Sequence, residues 1–352
     1  MTHRPALAVV GATGAAGGAL LQILSQHEDV WGGIRLIASP RSAGRTLAVR
    51  GEECVVRALD EDALAGCDVV LFLTPDDISA RWAPVAVARG AVVVDTSAAF
   101  RLDPEVPLVV PELNPHALRI RPRGIVASPR DTSLTLLPAV GALHAAFGLR
   151  ELVVSSYQAA SGAGRDASAA LRRQLALVSG MELGTATGDI RRAVGDGGLG
   201  PLPAPLALNV VPWAGEVRPD GWSSDEVGLR DETRKVLGLP GLKVAATCVR
   251  VPVLTGHSLT VHARFEDEVT VARAHEILAT SPGVVLYDEP ALGGFPTPVD
   301  VVGTDPTWAG RVRRAPDDPR ALELFLCADN LRQGTALNSV RIAEIVAAEF
   351  PR

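Results

Sequence analysis

The chain has 352 residues, 47% hydrophobic and 21% charged, which is the balance of a folded globular protein and excludes a disordered one. A net charge of −6 and a pI of about 5.7 exclude a general nucleic-acid binder, which carries a basic face. The longest apolar runs, "DVVLFL" and "GIVA", fall far short of the ~20 residues of a membrane span, and "MTHRPALAVVGATG" enters a strand almost at once, so no membrane segment, no signal peptide and a cytoplasmic location are expected.

In chain order, residues 6–10 form a short apolar β run, and "GATGAAGGALLQILSQH" follows as a glycine-rich turn and an amphipathic helix. "IRLIAS", "DVVLFL", "AVVVD" and "GIVAS" are further apolar strands, separated by helices or turns. Near-continuous hydrophobic strands alternating with helices predict an α/β fold with a parallel sheet covered on both faces. Beyond about residue 130 the texture changes. "ELVVSSYQAASGAG" reads as a strand and a turn, and "RDASAALRRQLALVSG" as a helix. "LPAPLALNVVPW" and "KVAATCVRVPVLTGHSLTVHARFE" alternate like antiparallel strands. The predicted domains are 1–130, 131–329 with α+β character, and a C-terminal helix, 330–352, that packs back on the first.

Gly11, Gly14 and Gly17 form G-x-x-G-x-x-G directly after the first strand. Glycines there let the backbone approach a pyrophosphate, and the helix N-terminus offers free N–H groups to the anion. The end of the second strand, "LIASPRSAGR", has no Asp or Glu for ribose hydroxyls. It offers Ser39, Arg41 and Ser42 instead, a set suited to the 2′-phosphate of NADP. Cys54, Cys67, Cys248 and Cys327 are too widely spaced for a zinc site or disulfide framework. His257 and His262 lie an odd number of residues apart on one strand and cannot share a metal, so no metal site is expected.

With "VVGATGAAGGALL", "ASPRSAGR", "DTSAAFRLDPEVPLVVPELNP", "SSYQAASGAG", "DETRKVLG", "KVAATCVRVPVLTGHS" and "ADNLRQGTALNSVRIAE", the chain resembles the aspartate-β-semialdehyde dehydrogenases over residues 6–350. The resemblance implies a Rossmann-type dinucleotide-binding domain plus an α+β substrate and dimerisation domain, and a homodimer. It implies NADPH-dependent reduction of L-aspartyl-4-phosphate to aspartate semialdehyde through a cysteine thioacyl intermediate. His257 matches the acid–base histidine and Gln158 the glutamine beside the nucleophile. Arg250 matches the arginine for the substrate α-carboxylate, Glu226 the acid for its amino group, and Arg101 a phosphate-binding arginine. Thr13, Gly162 and Asn330 join the implied cofactor contacts.

The motif around the family nucleophile is Asn-Pro-Asn-Cys-Ser/Thr, and here it reads Ser128-Pro129-Arg130-Asp131-Thr132. Asp131 thus stands at the cysteine position, and Arg130 beside it joins the candidate substrate-binding set. The lysine two residues after the Glu226 position is Gly228, and the S-A-G-G-S stretch near the cofactor is Leu73-Thr74-Pro75-Asp76-Asp77. A carboxylate at a helix N-terminus stays anionic and caps well, and it is a poor substitute for a thiolate. Losing a covalent nucleophile costs about 10⁴–10⁶ in rate. Three readings remain open. Asp131 and His257 can serve non-covalent chemistry on an aspartate-like substrate with NADP(H). The chain can be an inactive ligand-binding protein or heteromeric partner of an active paralogue. Or the family reaction persists at a residual level through Thr132 or Ser133.

Overall fold

The computed structural model describes residues 4–350. The first three residues, part of the start read as leaderless, and the last two lie outside the described residues, as do the outermost ends of the first and third expected domains. The first half of the chain runs β1 (Ala6–Val10), α1 (Ala15–Gln26), β2 (Gly33–Ala38), β3 (Thr46–Val49), β4 (Glu52–Val55), β5 (Arg57–Ala58), α2 (Glu61–Leu64), β6 (Val69–Phe72), α3 (Asp76–Ala88), β7 (Val92–Asp95), β8 (Ile125–Ala127) and α4 (Asp131–Phe147). The remainder is β9 (Leu149–Gln158), α5 (Gly164–Val178), α6 (Asp189–Val194), α7 (Ser224–Leu237), β10 (Lys243–Arg250), β11 (His257–Phe265), α8 (Val271–Thr280), β12 (Val284–Leu286), α9 (Pro298–Val301), β13 (Thr307–Arg314), β14 (Ala321–Ala328), a π-helical turn at Arg332–Leu337 and α10 (Asn338–Ala347).

The chain divides into two compact units, one of Met1–Leu134, Glu232–Pro240 and Arg332–Arg352, the other of Thr135–Asp231 and Gly241–Leu331. The first holds a parallel sheet in the order β5-β2-β1-β6-β7-β8. Its middle strands are buried along almost their whole length, as strands covered on both faces must be. The chain leaves β1 toward β2 and returns to β6 on its other side. The C-terminal ends of β1 and β6 therefore flank the crevice where open α/β sheets bind ligands. The core of this unit joins Leu7, Val9, Leu20, Leu24, Leu71 and Val94 to Val340, Ile342, Ala343 and Val346 of α10.

The second unit holds a six-stranded sheet in the order β10-β9-β11-β14-β13-β12. The antiparallel reading of this half needs correction. β9 and β10 pair in parallel, as do β12 and β13, while β11 runs antiparallel to β9 and β14. Side-chain alternation reports which face a residue occupies and carries no information about strand direction. "LPAPLALNVVPW" forms no strand, and only Val211 bridges to Arg250. Pro203, Pro205 and Pro212 have no N–H to give a ladder. One face of the sheet leaves Val153 and Tyr157 of β9 open within the chain. Among the described residues, no helix is long and apolar enough to cross a membrane.

Candidate active site

At the crevice of the first unit, Gly11 has φ +93°, and a Cβ there would lie 2.2 Å from the Leu73 carbonyl oxygen. A Cβ on Gly17 would lie 2.5 Å from the Gly11 oxygen, so both glycines are demanded by close backbone approach. Gly14 meets only that same oxygen, at 3.2 Å, and serves as the cap residue of α1, with Thr13 half-buried before it. No side chain caps α1, and its first turn holds no acid. Its first N–H groups, which have no partner within the helix, are left for an anion. The turn after β2 exposes Ser39 and Arg41, buries Ser42 and contains no carboxylate. The glycine loop and the α1 N-terminus fit the pyrophosphate of a dinucleotide. The 74–77 stretch differs: Asp76 and Asp77 occupy the first turn of α3, and Asp76 accepts from the Ala98 N–H at 2.9 Å.

Asp131 is the first residue of α4. The Leu134 N–H donates to the Arg130 carbonyl at 2.9 Å, which makes Arg130 the cap residue and places Asp131 one position inside the helix, a correction to its expected capping role. Asp131 Oδ1 accepts from the Thr132 N–H at 2.8 Å. A Cβ on Gly334, in the π turn, would lie 2.6 Å from Asp131 Cβ, so only glycine packs there. Asn338 Nδ2 donates to Ser128 Oγ at 2.7 Å and to the Val109 carbonyl at 3.0 Å, fixing the approach to this junction. Thr132 and Ser133 are wholly buried, and neither hydroxyl has a hydrogen-bond partner among the described residues, so no base stands beside either.

Glu232, which sequence reasoning passed over, is the hub here. Its Oε2 accepts from the Arg130 backbone N–H and its Oε1 from Arg130 Nε, both at 2.8 Å. Arg101 Nη1 approaches Oε1 at 3.4 Å, and that guanidinium also donates to the Ser128 and Thr96 carbonyls. Burial pushes the Glu232 carboxyl up, but the Arg130 and Arg101 charges and the bonds from Arg130 outweigh it and hold the carboxyl below its ordinary range. One turn on, Lys235 donates to the carbonyls of Arg101, Asp103 and Val106. The i, i+3 spacing of Glu232 and Lys235 within "DETRKVLG" was the available signal.

The second unit gathers a separate cluster. His257, wholly buried at the start of β11, accepts at Nδ1 from the Ala159 N–H at 3.1 Å. A backbone N–H can only donate, so the neutral imidazole carries its proton on Nε2. Arg250, buried at the end of β10, donates from Nη1 to the Ala159 carbonyl at 2.8 Å. Ala159 thus holds both side chains through its own backbone. A Cβ on Gly162 would lie 2.7 Å from Arg250 Nη1 and 2.9 Å from His257 Nε2, so the glycine keeps that edge of the imidazole clear. Asn330 Oδ1 accepts from Ser161 Oγ and from the Gly256 N–H, each at 3.0 Å, bracing the turn at one end and the residue before His257 at the other. Gln158 ends β9 and reaches Ser156 Oγ at 3.3 Å. Glu226 lies in a cap. It accepts from the Ser223 N–H at 2.9 Å and the Cys248 N–H at 3.0 Å, while the Glu226 N–H donates to the Ser223 hydroxyl at 3.2 Å.

Cys54, Cys67 and Cys327 have no such setting. Burial pushes Cys327 up to about 11 and also raises Cys67, while burial and then Glu52 raise Cys54. Cys67 precedes β6 and lies at the N-terminal edge of the parallel sheet, opposite the end that carries Asp131.

Residues 6–120 match the family model "Semialdehyde dehydrogenase, NAD binding domain", and residues 140–333 match "Semialdehyde dehydrogenase, dimerisation domain". The chain is 43% identical over 347 residues to an aspartate-semialdehyde dehydrogenase of Corynebacterium glutamicum, covering 97% of this chain and 98% of that protein. It is 43% identical to one from Streptomyces akiyoshiensis, over 97% and 98% of the two chains. Its fold matches aspartate semialdehyde dehydrogenase II of Vibrio cholerae, solved complexed with ASA, at a TM-score of 0.90 and 32% identity over 99% of this chain and 100% of that one.

Proposed function

The chain belongs to the aspartate-semialdehyde dehydrogenase family, and from that premise we propose that it is an NADP(H)-linked oxidoreductase of an aspartate-like aldehyde that works without a thiol nucleophile. The observation that carries this reading is the fixed tautomer of His257, whose Nε2 N–H lies against Gly162, where no Cβ intervenes. A carbonyl reduced to an alcohol needs such a donor and no covalent intermediate.

The residues that would hold the cofactor are Gly11, Thr13, Gly14 and Gly17 at its pyrophosphate, with Ser39, Arg41 and Ser42 at its 2′-phosphate. When bound, NADP(H) supplies or accepts hydride. Arg250 binds the substrate α-carboxylate with its planar guanidinium, and Gln158 lies next to it in the β9–β10 register. Glu226 answers the substrate ammonium. Each of its oxygens accepts one backbone N–H and keeps a second lone pair. As the carbonyl carbon is reduced, its oxygen takes the proton from His257 Nε2, and solvent restores that proton. In the reverse direction Nε2 receives it. Asp131 takes the place of the nucleophile in this reading, which the raised thiols and the partnerless hydroxyls of Thr132 and Ser133 support. Two copies pair through the second unit, whose sheet leaves Val153 and Tyr157 open.

The test is to incubate the chain with NADPH and aspartate semialdehyde and to analyse the product. NADPH consumption with formation of the matching hydroxy amino acid is expected, and His257→Asn should slow it about 10²–10⁴-fold. Absence of NADPH consumption at any substrate concentration sinks the reading.

A further inference from the structure

α1, α3 and α4 begin in the first unit, at the C-terminal end of its parallel sheet, after β1, β6 and β8. Such N-termini accept anions, because their first N–H groups are unpaired and the helix dipole is positive there. α3 carries its own Asp76 and Asp77 in the first turn, and α4 carries Asp131. α1 has neither an acid nor a capping side chain in its first turn. Of the three, one is open to an external anion, and it is the one that opens the dinucleotide loop.

The cations near α4 are already engaged with internal acceptors. Arg101 directs its fork at the carbonyls of Thr96 and Ser128 and at Glu232. Arg130 meets the same wholly buried carboxylate through both its backbone N–H and Nε. Lys235 spends its ammonium on three carbonyls of the 101–106 loop. A phosphoryl dianion arriving at this junction would meet the Asp131 carboxylate before any cation turned outward.

We propose that this chain excludes phosphorylated substrates, and that Asp131 and Glu232 together determine that specificity: Asp131 closes the α4 anion slot, and Glu232 turns Arg101 and Arg130 inward. This deepens the reading above and rests on it for the rest of the substrate. The end that enters is an uncharged carbonyl or alcohol. The reaction supplying it must deliver a free aldehyde or alcohol and is not a phosphoryl transfer.

Binding is the readout, which separates this inference from the oxidoreductase reading. Inorganic phosphate is titrated by calorimetry into the full chain saturated with NADP, so that the α1 slot is filled. No saturable binding is expected. Asp131→Asn keeps the acceptor for the Thr132 N–H and should fold, which a thermal melt checks. It should gain phosphate affinity by about tenfold or more. Saturable binding to the unaltered chain, or no gain in folded Asp131→Asn, overturns the proposal. Either result is read whether or not the carbonyl reduction is observed.

Discussion

Gly162 is the residue at which one methyl group decides most. Its missing side chain leaves the space against Arg250 Nη1 and His257 Nε2, while the residue itself is exposed. Gly162→Ala should lower kcat/KM by about 10²-fold, the cost of misplacing reacting groups by an ångström, with an unchanged far-UV spectrum. A lost fold in place of lost rate would show that the glycine serves structure. Asp131→Cys would place a thiol in the first turn of α4, where the dipole lowers thiol pKa. Iodoacetamide should label it faster than any native cysteine. Equal labelling rates would show that the junction does not activate a thiol. Asp95 carries a pH signature. Burial, resisted by Ser79 and Ser97, holds its carboxyl above the ordinary range. The stability lent by its protonated form is whole below the unfolded pKa and is lost as pH rises through the raised one. Asp95→Asn should therefore raise the urea midpoint more at about pH 8 than at about pH 4. The reverse order would mean that the fold favours the ionised form. The family resemblance named His257 and Arg250, and Gly162 as a cofactor contact, and the three lie together in the structure. That resemblance could not reach Ala159, whose contribution is an N–H and a carbonyl that every residue except proline also has.

The C-terminal turns of α7 show what an element adds. Glu232 and Lys235 lie one turn apart and together hold the 101–106 loop and the start of α4. Glu232→Ala leaves two largely buried guanidinium groups without their carboxylate and should cost about 3–5 kcal/mol in urea unfolding. A cost below about 1 kcal/mol, the scale of an exposed pair, would mean that solvent already screens them. In the sequence, "DETRKVLG" has the charge density of a solvated helix face, and the i, i+3 spacing puts Glu232 and Lys235 on one face without marking that face as the inward one. Strands were more legible. The runs that became β1, β2, β6, β7 and β8 are apolar because both faces of a parallel sheet are covered. Pairing direction, the irregular 202–213 stretch and the π turn depend on partners far along the chain, and periodicity does not carry them.

At the scale of the whole molecule, the α/β architecture was legible from the alternation of strands and helices, and the second sheet from its change of texture near residue 130. The return of Glu232–Pro240 to the first unit was not, since a helix that serves two units has no mark at the crossing. The first unit is thus drawn from three stretches of chain, and Ala336, Leu337, Val340, Ile342, Ala343 and Val346 complete its core. Ending the chain after Leu331 should leave that core uncovered, bind a hydrophobic dye and lose cooperative melting. A sharp, unshifted melt would show that the first unit closes without α10. Synthesis proceeds from the N-terminus at about 5–20 residues per second. The unit whose strands leave the ribosome first is therefore the last to be finished, while all of the second unit can emerge and fold in the interval. During that wait the nascent β1–β8 sheet is an exposed apolar surface, and chaperones have most reason to act on this chain in that window.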